Sequence, residues 1–200
     1  MKKDLFKTNI REICEIAIVS ALAIVMDRFV RIPVGATGGS INICSIPLFI
    51  IAYRHGWFKG FIASGIVFGL ITCLFDGYGM QFFPLEYLVA FGSIGIGGLF
   101  GKKINDLINT KGASSKVIAG LMVVGTVSIF FVIRLFAATL DSMIFYEYPF
   151  KAALIYNISY IGPSAGAVAI FLIMLLPLIK ILNKMFKTEY LSSDDEEEDY

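Results

Sequence analysis

Apolar residues in this chain come in long runs, and polar residues fall between the runs rather than alternating within them. A helix needs about 20 mostly apolar residues to cross about 30 Å of hydrocarbon. Six stretches qualify as candidates: residues 11–30, 41–53, 57–75, 82–100, 117–140 and 152–182. The second is short for a full crossing, and the last two are long. Between them lie a tight basic turn at Arg54-His55-Gly56, a basic loop over 101–116 and three segments of a different kind. The stretches 31–40 and 76–79 are Gly- or Pro-punctuated with little charge, and 141–150 carries Asp141 and Glu147. The pattern predicts an all-α, polytopic membrane protein, a bundle of six transmembrane helices spanning residues 1–188. Residues 189–200 form an acidic tail, Ser192-Ser-Asp-Asp-Glu-Glu-Glu-Asp-Tyr200, whose like charges predict a disordered, solvated segment or a docking peptide.

Composition agrees with a bilayer as solvent. Hydrophobic residues make up 57 % of the chain and charged ones 16 %, with a mean hydropathy of +0.78; a soluble domain carries about a quarter charged residues. The first apolar stretch follows basic residues, as a signal peptide's would, but Asp27-Arg28 stands where a cleavage site would be, so it reads as a retained helix. Cys14, Cys44 and Cys73 sit in apolar runs without a CxxC or His cluster and read as small hydrophobes, with no metal site and no cofactor implied.

Charge then sets the orientation. With six spans, one side collects Lys2, Lys3, Lys7, Arg11, Arg54, Lys59, Lys102, Lys103, Lys111, Lys116, Lys180, Lys184 and Lys187. The other side has only Arg28, Arg31 and Lys151. Basic residues near short loops are retained in the cytoplasm, so a multi-pass cell-membrane protein with both termini cytoplasmic is expected.

A few side chains are not explained by lipid. A charge near mid-membrane costs at least ~2.5–3.5 kcal/mol and normally faces a partner, a cavity or a substrate. Glu86 lies near the start of the fourth span, where it reads either as a helix-start charge or as a pocket residue. Arg134 lies between Phe130-Phe-Val-Ile and Leu135-Phe-Ala-Ala. It reads as a structural partner of Glu86 or Asp141, as a snorkelling cation, or as a pocket residue. Asn42, Asn157, Ser159 and Tyr160 fall at a similar depth, which suggests one polar cavity opening outward. No GxxxxGK[ST] loop is present, His55 is the only histidine, and no hydrolase or metal pattern occurs, so an enzyme is not expected. Ala17 and Ala21, four apart on the first helix, make a flat strip for close helix approach, either inside the bundle or against a partner. The glycines at 92, 95, 97, 98 and 101 make a similar strip that suits internal packing.

Several segments resemble the thiamine-specific substrate-binding (S) component of energy-coupling factor (ECF) vitamin transporters. They are Pro84-Leu-Glu-Tyr-Leu-Val-Ala90 with Gly95-Ile-Gly-Gly-Leu-Phe100, Gly38-Gly-Ser-Ile-Asn-Ile-Cys-Ser-Ile-Pro47 with Ala52-Tyr-Arg-His-Gly-Trp57, and Tyr156-Asn-Ile-Ser-Tyr160 with Pro163. The resemblance covers nearly the whole chain. It implies a vitamin-capturing bundle without ATPase activity, working with a transmembrane coupling subunit and two cytoplasmic ATPases. It implies that Ala17 and Ala21 face the coupling subunit, that Glu86 and Tyr87 line the pocket, and that Asn157 hydrogen-bonds the ligand. Tyr78 matches a pocket aromatic.

The chain departs from the family at four pocket positions. Arg134 replaces a His, Ser142 a Trp, Ala152 a Tyr, and Asn42 a carboxylate found in some members. Fewer aromatic faces and an added positive charge disfavour a cation. Two explanations fit. Either Arg134 neutralises Glu86 or Asp141, or the ligand carries negative charge, as phosphorylated thiamine or another anionic vitamin does. A stand-alone secondary transporter is the reading from a different class, and it calls for two repeated halves that the sequence does not display.

Overall fold

The fold is that of a computed structural model describing residues 8–34 and 39–192. Helix α1 (Ile10–Phe29) leads into a two-stranded antiparallel hairpin, β1 (Arg31–Val34) and β2 (Gly39–Asn42), with Arg31 opposite Asn42. Four long helical runs follow: α2 (Ser45–Asp76), α3 (Met80–Asn109), α4 (Ala113–Phe145) and α5 (Phe150–Met185). Each is long and apolar enough to cross a membrane. Helix α1 is long enough, but Arg11, Glu12, Glu15, Asp27 and Arg28 lower its apolarity. A short helix, α6 (Glu189–Ser192), ends the described chain. It extends order past the 188/189 boundary suggested by the sequence; residues 193–200 of the acidic tail lie outside the described residues.

Six helical segments result from five long runs because α2 doubles back. Gly56 has φ 83° and ψ 176° inside the run, a conformation open to glycine and strained for other residues. Beyond it Gly60 returns to Ala52, so close that a Cβ on Gly60 would come within 2.8 Å of the Ala52 Cβ. In a continuous helix, residues eight apart would be about 12 Å apart. The two arms, 45–55 and 57–76, are thus a helical hairpin, in agreement with the tight turn expected at Arg54-His55-Gly56.

The glycine strip of α3 packs against that turn. A Cβ on Gly98 would lie 2.4 Å from Gly56 C and Trp57 N, and one on Gly101 would lie 2.3 Å from the Tyr53 carbonyl oxygen. Only backbone fits there. Helix α3 is 3₁₀ over Ser93–Phe100, where these contacts are made, and π-helical over Phe83–Val89. The second arm of α2 is also π-helical, over Ile62–Phe68.

The bundle's middle is apolar and aromatic. Phe49 meets Phe130 edge-on at 5.6 Å, and Phe91 sits 4.8 Å from Phe68 and 6.1 Å from Phe130. The outside is also apolar: Leu121, Val132, Phe136, Ile155, Ile170 and Met174 are each more than half exposed. That inversion of the soluble pattern identifies lipid as the surrounding medium.

At the Gly56 end, charges are buried in pairs. Arg54 is fully buried and donates to Glu15 through Nε (2.6 Å) and Nη2 (3.0 Å), to Asn183 through Nη1, and to the Phe186 carbonyl. Lys59 pairs with Glu12 at 2.5 Å. The last residues close over this cluster, with Thr188 donating to the Arg54 carbonyl and Tyr190 to that of Gly98. Arg54 and His55 are therefore interior, not surface charges of a solvated turn.

The close approach at Gly98 yields a paired test. Gly98→Val forces a side chain into the Gly56–Trp57 backbone and is expected to cost about 3 kcal/mol or more, at the upper end of overpacking penalties. Gly125→Ala, where a Cβ meets nothing within 4 Å, should be neutral or stabilising by up to ~1 kcal/mol. Melting temperatures of the two variants in detergent check both signs.

Candidate functional site

At the opposite end from the Gly56 turn, the β-hairpin, α1, both ends of the α2–α3 connection, α4 and α5 enclose a cavity of about 120 Å³. The hairpin, read from sequence as an irregular segment, forms one wall. Tyr156 holds it, accepting from the Gly39 amide (3.0 Å) and donating to the Val34 carbonyl (3.3 Å). Asn42 fixes its end, with its amide N–H on Ser164 (3.1 Å) and its side chain shared among Asp27, Ser40 and Cys44. Asn42 closes a strand rather than starting a membrane helix.

All seven residues expected at the site line this one cavity: Asn42, Tyr78, Glu86, Tyr87, Arg134, Asn157 and Tyr160. Their states differ. The Tyr87 hydroxyl donates to Asp76 (2.6 Å), so its ring faces the cavity while its oxygen is committed. Asn157 donates to Ser142 (3.0 Å) and accepts from Tyr160 (2.6 Å), a chain that fixes the amide. Tyr78 is about half exposed and meets Phe82 edge-on at 6.3 Å, at the cavity's open side. Glu86 and Tyr87 are consecutive and still both reach the cavity. The π-helical turn over Phe83–Val89 widens the helix there, a distortion often found at functional sites. Ser159 and Ala152 are exposed and lie elsewhere. Ala17 and Ala21 are exposed on α1, away from the buried face of Glu12, Ser20, Ala23 and Asp27.

Arg134 is 5 % exposed and makes no ion pair within 4.0 Å with Glu86 or Asp141. Its guanidinium lies over Phe91 at 4.6 Å and near Phe130 at 5.8 Å, contacts worth roughly 0.5–2 kcal/mol. It neither snorkels nor forms a structural pair; it stands on the aromatic core and faces the cavity. Among the described residues, no group of His, Cys, Asp or Glu has the arrangement to hold a metal ion.

Several lining residues were not expected at the site: Asp27, Asp76, the aromatic residues Phe82, Phe91, Tyr146, Tyr148 and Tyr156, and Asp141, which the sequence offered only as a partner for Arg134. Asp141 is inside α4 because that helix runs one turn past residue 140; the apolar Met143-Ile-Phe145 was the available signal. Glu147, at φ 54°, bends the chain just after α4, and the rings of Tyr146 and Tyr148 stack at 6.0 Å. Nine aromatic side chains line the cavity in all.

The charge balance follows from these placements. Asp27, Asp76, Glu86 and Asp141 face the cavity with Arg31 and Arg134. Arg28 bonds Asp76 at 2.8 Å from behind, and Arg31 lies 3.9 Å from the same carboxylate. Counted by formal charge and with Arg28 behind the lining included, four carboxylates meet three guanidiniums, a formal excess of one negative charge.

A family model described as "Thiamine transporter protein" matches residues 13–187 of the chain. A curated relative, the thiamine transporter ThiT of Bacillus subtilis (strain 168), is 33 % identical over 179 residues, covering 80 % of this chain and 88 % of its own. A solved structure of ThiT from Listeria monocytogenes superposes with a TM-score of 0.65 at 26 % identity, covering 88 % of this chain and 94 % of its own.

The Tyr87–Asp76 bond can be tested on its own. Tyr87→Phe keeps the ring in the cavity wall and leaves Asp76 with Arg28. Loss of this one hydrogen bond to a charged acceptor should lower the stability of the empty protein by about 1.5–3 kcal/mol. Thermal unfolding without ligand, compared with wild type, measures it.

Proposed function

The chain belongs to the thiamine transporter protein family, and we propose that it captures thiamine as the membrane-embedded S subunit of an ECF-type vitamin importer. The observation that carries this reading is the single excess negative charge of the aromatic-walled cavity. Thiamine has one permanent positive charge and two flat rings, so it neutralises the site and meets aromatic faces that favour cations. Glu86 faces the ligand's positive charge, the Tyr87 ring lines its side, and Asn157, fixed by Ser142 and Tyr160, presents its remaining donor. Arg134 on its own favours an anion, as phosphorylated thiamine or another acidic vitamin would supply, but three other ionic groups beyond the paired ones outweigh it. An anionic ligand would leave the cavity with an uncompensated double negative charge.

The remaining parts of the importer follow from the same reading. The sequence contains no phosphate-cradling loop, so ATP hydrolysis is assigned to two cytoplasmic ATPases joined through a transmembrane coupling subunit. The exposed Ala17 and Ala21 on α1 are the contact strip for that subunit; small residues let a second helix approach closely. The excess of basic residues in the termini and connections on the Gly56 side of the sequence supports a cytoplasmic assignment for that side, with the cavity opening outside. Transport is reorientation of the whole bundle within the complex.

Calorimetry with purified protein against thiamine, its phosphates and other B vitamins tests the ligand. Thiamine should bind most tightly, and Glu86→Gln should weaken it about 10- to 100-fold, the range for a hydrogen bond to a charged group. Tighter binding of thiamine monophosphate than of thiamine would overturn the charge-balance account. For the partner strip, Ala17→Leu with Ala21→Leu should abolish co-purification with a co-expressed coupling subunit while thiamine affinity stays within about 2-fold of wild type.

A further inference from the structure

Asp141 and Glu86 stand apart from Asp27 and Asp76 among the acids of the cavity, because neither has a side-chain partner. Asp141 is 3 % exposed, and its carboxylate has no side-chain hydrogen bond or ion pair, the Glu86 main chain being its polar neighbour. Asp76, by contrast, is bonded to Arg28 and Tyr87, and Asp27 accepts from Asn42. A buried, unpaired carboxylate is strongly unfavourable in a bilayer-embedded site. Retaining one at the cavity wall points to a positive partner that arrives from outside.

The neighbouring side chains define that partner's shape. Phe82 lies 5.7 Å from Tyr146, and Tyr146 stacks with Tyr148; all three line the cavity with Asp141. The amides of Tyr146 and Tyr148 both close on the Ser142 carbonyl, which folds this aromatic wall back over the end of α4. Aromatic faces beside a bare carboxylate suit a flat organic cation. Seven residues earlier, on the same face of α4 and about 10 Å deeper, Arg134 presents an Nε with no partner. Its charge repels a cation from the floor, and its free N–H calls for a hydrogen-bond acceptor. The cavity face of α4 is therefore negative at the mouth and positive at the floor.

Resting on the thiamine reading above, we propose that Asp141 is a second counter-charge, beside Glu86, of the ligand's thiazolium ring. The ring is held at the mouth among Phe82, Tyr146 and Tyr148, and the pyrimidine, whose ring nitrogens accept hydrogen bonds, points down to Arg134. Asp141 is thereby a specificity residue that selects for charge, not only for shape.

Calorimetry on the full-length protein in nanodiscs with thiamine and with 3-deazathiamine, its uncharged isostere, tests this. Asp141→Asn should weaken thiamine about 10- to 100-fold and the neutral isostere less than about 3-fold. Asp141→Glu, which keeps the charge, should retain thiamine within about 10-fold of wild type. The empty Asp141→Asn protein should melt at a higher temperature than wild type, because an unpaired buried charge has been removed. Wild-type thiamine affinity in Asp141→Asn, or equal loss for both ligands, overturns the proposal. So does an Asp141→Asn protein that melts lower or is not recovered folded. Failure of the wild type itself to bind thiamine brings down the functional reading as well as this inference.

Discussion

Charge matching inside a low-dielectric bundle is the constraint on which the rest of this structure depends. Lipid cannot solvate a carboxylate or a guanidinium, so each must find its opposite within the protein or leave a large cost standing. The two ends of the bundle meet that constraint differently. At the Gly56 end, Arg54 is bonded by Glu15, Asn183 and a main-chain carbonyl, and Lys59 by Glu12. That end is closed. At the hairpin end, Asp76 is satisfied by Arg28 and Tyr87, while the carboxylate of Asp141 and the Nε of Arg134 have no side-chain partner. The aromatic layer of Phe49, Phe91 and Phe130 separates the two regimes. Structure and function are thus divided along the bundle axis by whether buried charges are paired.

The backbone contributes through its irregularities. Three-centred contact between Gly98, Gly101 and the Gly56 turn brings α3 and the α2 hairpin to backbone distance, which fixes the closed end. Above it, the π-helical segments Ile62–Phe68 and Phe83–Val89 lie in the arms that carry Phe68, Glu86 and Tyr87 to the cavity wall. Packing is tight where the chain is all glycine and loosens where side chains must face a ligand.

Much of this was legible in the sequence, and the parts that were not share a physical cause. Long apolar runs specify helices in lipid almost without ambiguity, so all six segments and the tight turn between the second and third could be read. The seven expected site residues converge on one cavity because intramembrane polar residues are too costly to be placed idly. The hairpin strands 31–34 and 39–42 escaped because their Gly- and Pro-rich run also suits an irregular loop, and the Tyr156 hydroxyl and Ser164 that hold them lie more than 110 residues away. Asp141, read only as a partner for Arg134, and Tyr146 escaped as cavity residues because a charge at a span's edge resembles a loop. Sequence periodicity carries no information about whether a helix has one more turn. The π segments depend on packing against glycines of a neighbouring run, which local sequence does not encode.

Arg134 looked like an obstacle to cation binding, and the charge balance gives it a purpose instead. With four carboxylates and only the two guanidiniums around Asp76, the empty cavity would hold a double negative charge, and a bound monocation would still leave one. Arg134 reduces the empty cavity to a single negative charge, so the loaded cavity is neutral. Neutrality matters for the proposed importer, in which the bundle carries its ligand across the membrane by reorienting. Each elementary charge moved through the field costs or gains about 2.3 kcal/mol per 100 mV. A loaded site with no net charge would move independently of membrane potential, leaving the work to the ATPases of the proposed importer. The guanidinium's seat on Phe91 and Phe130 supplies what a second carboxylate partner would have supplied, without consuming the negative charge that the ligand needs.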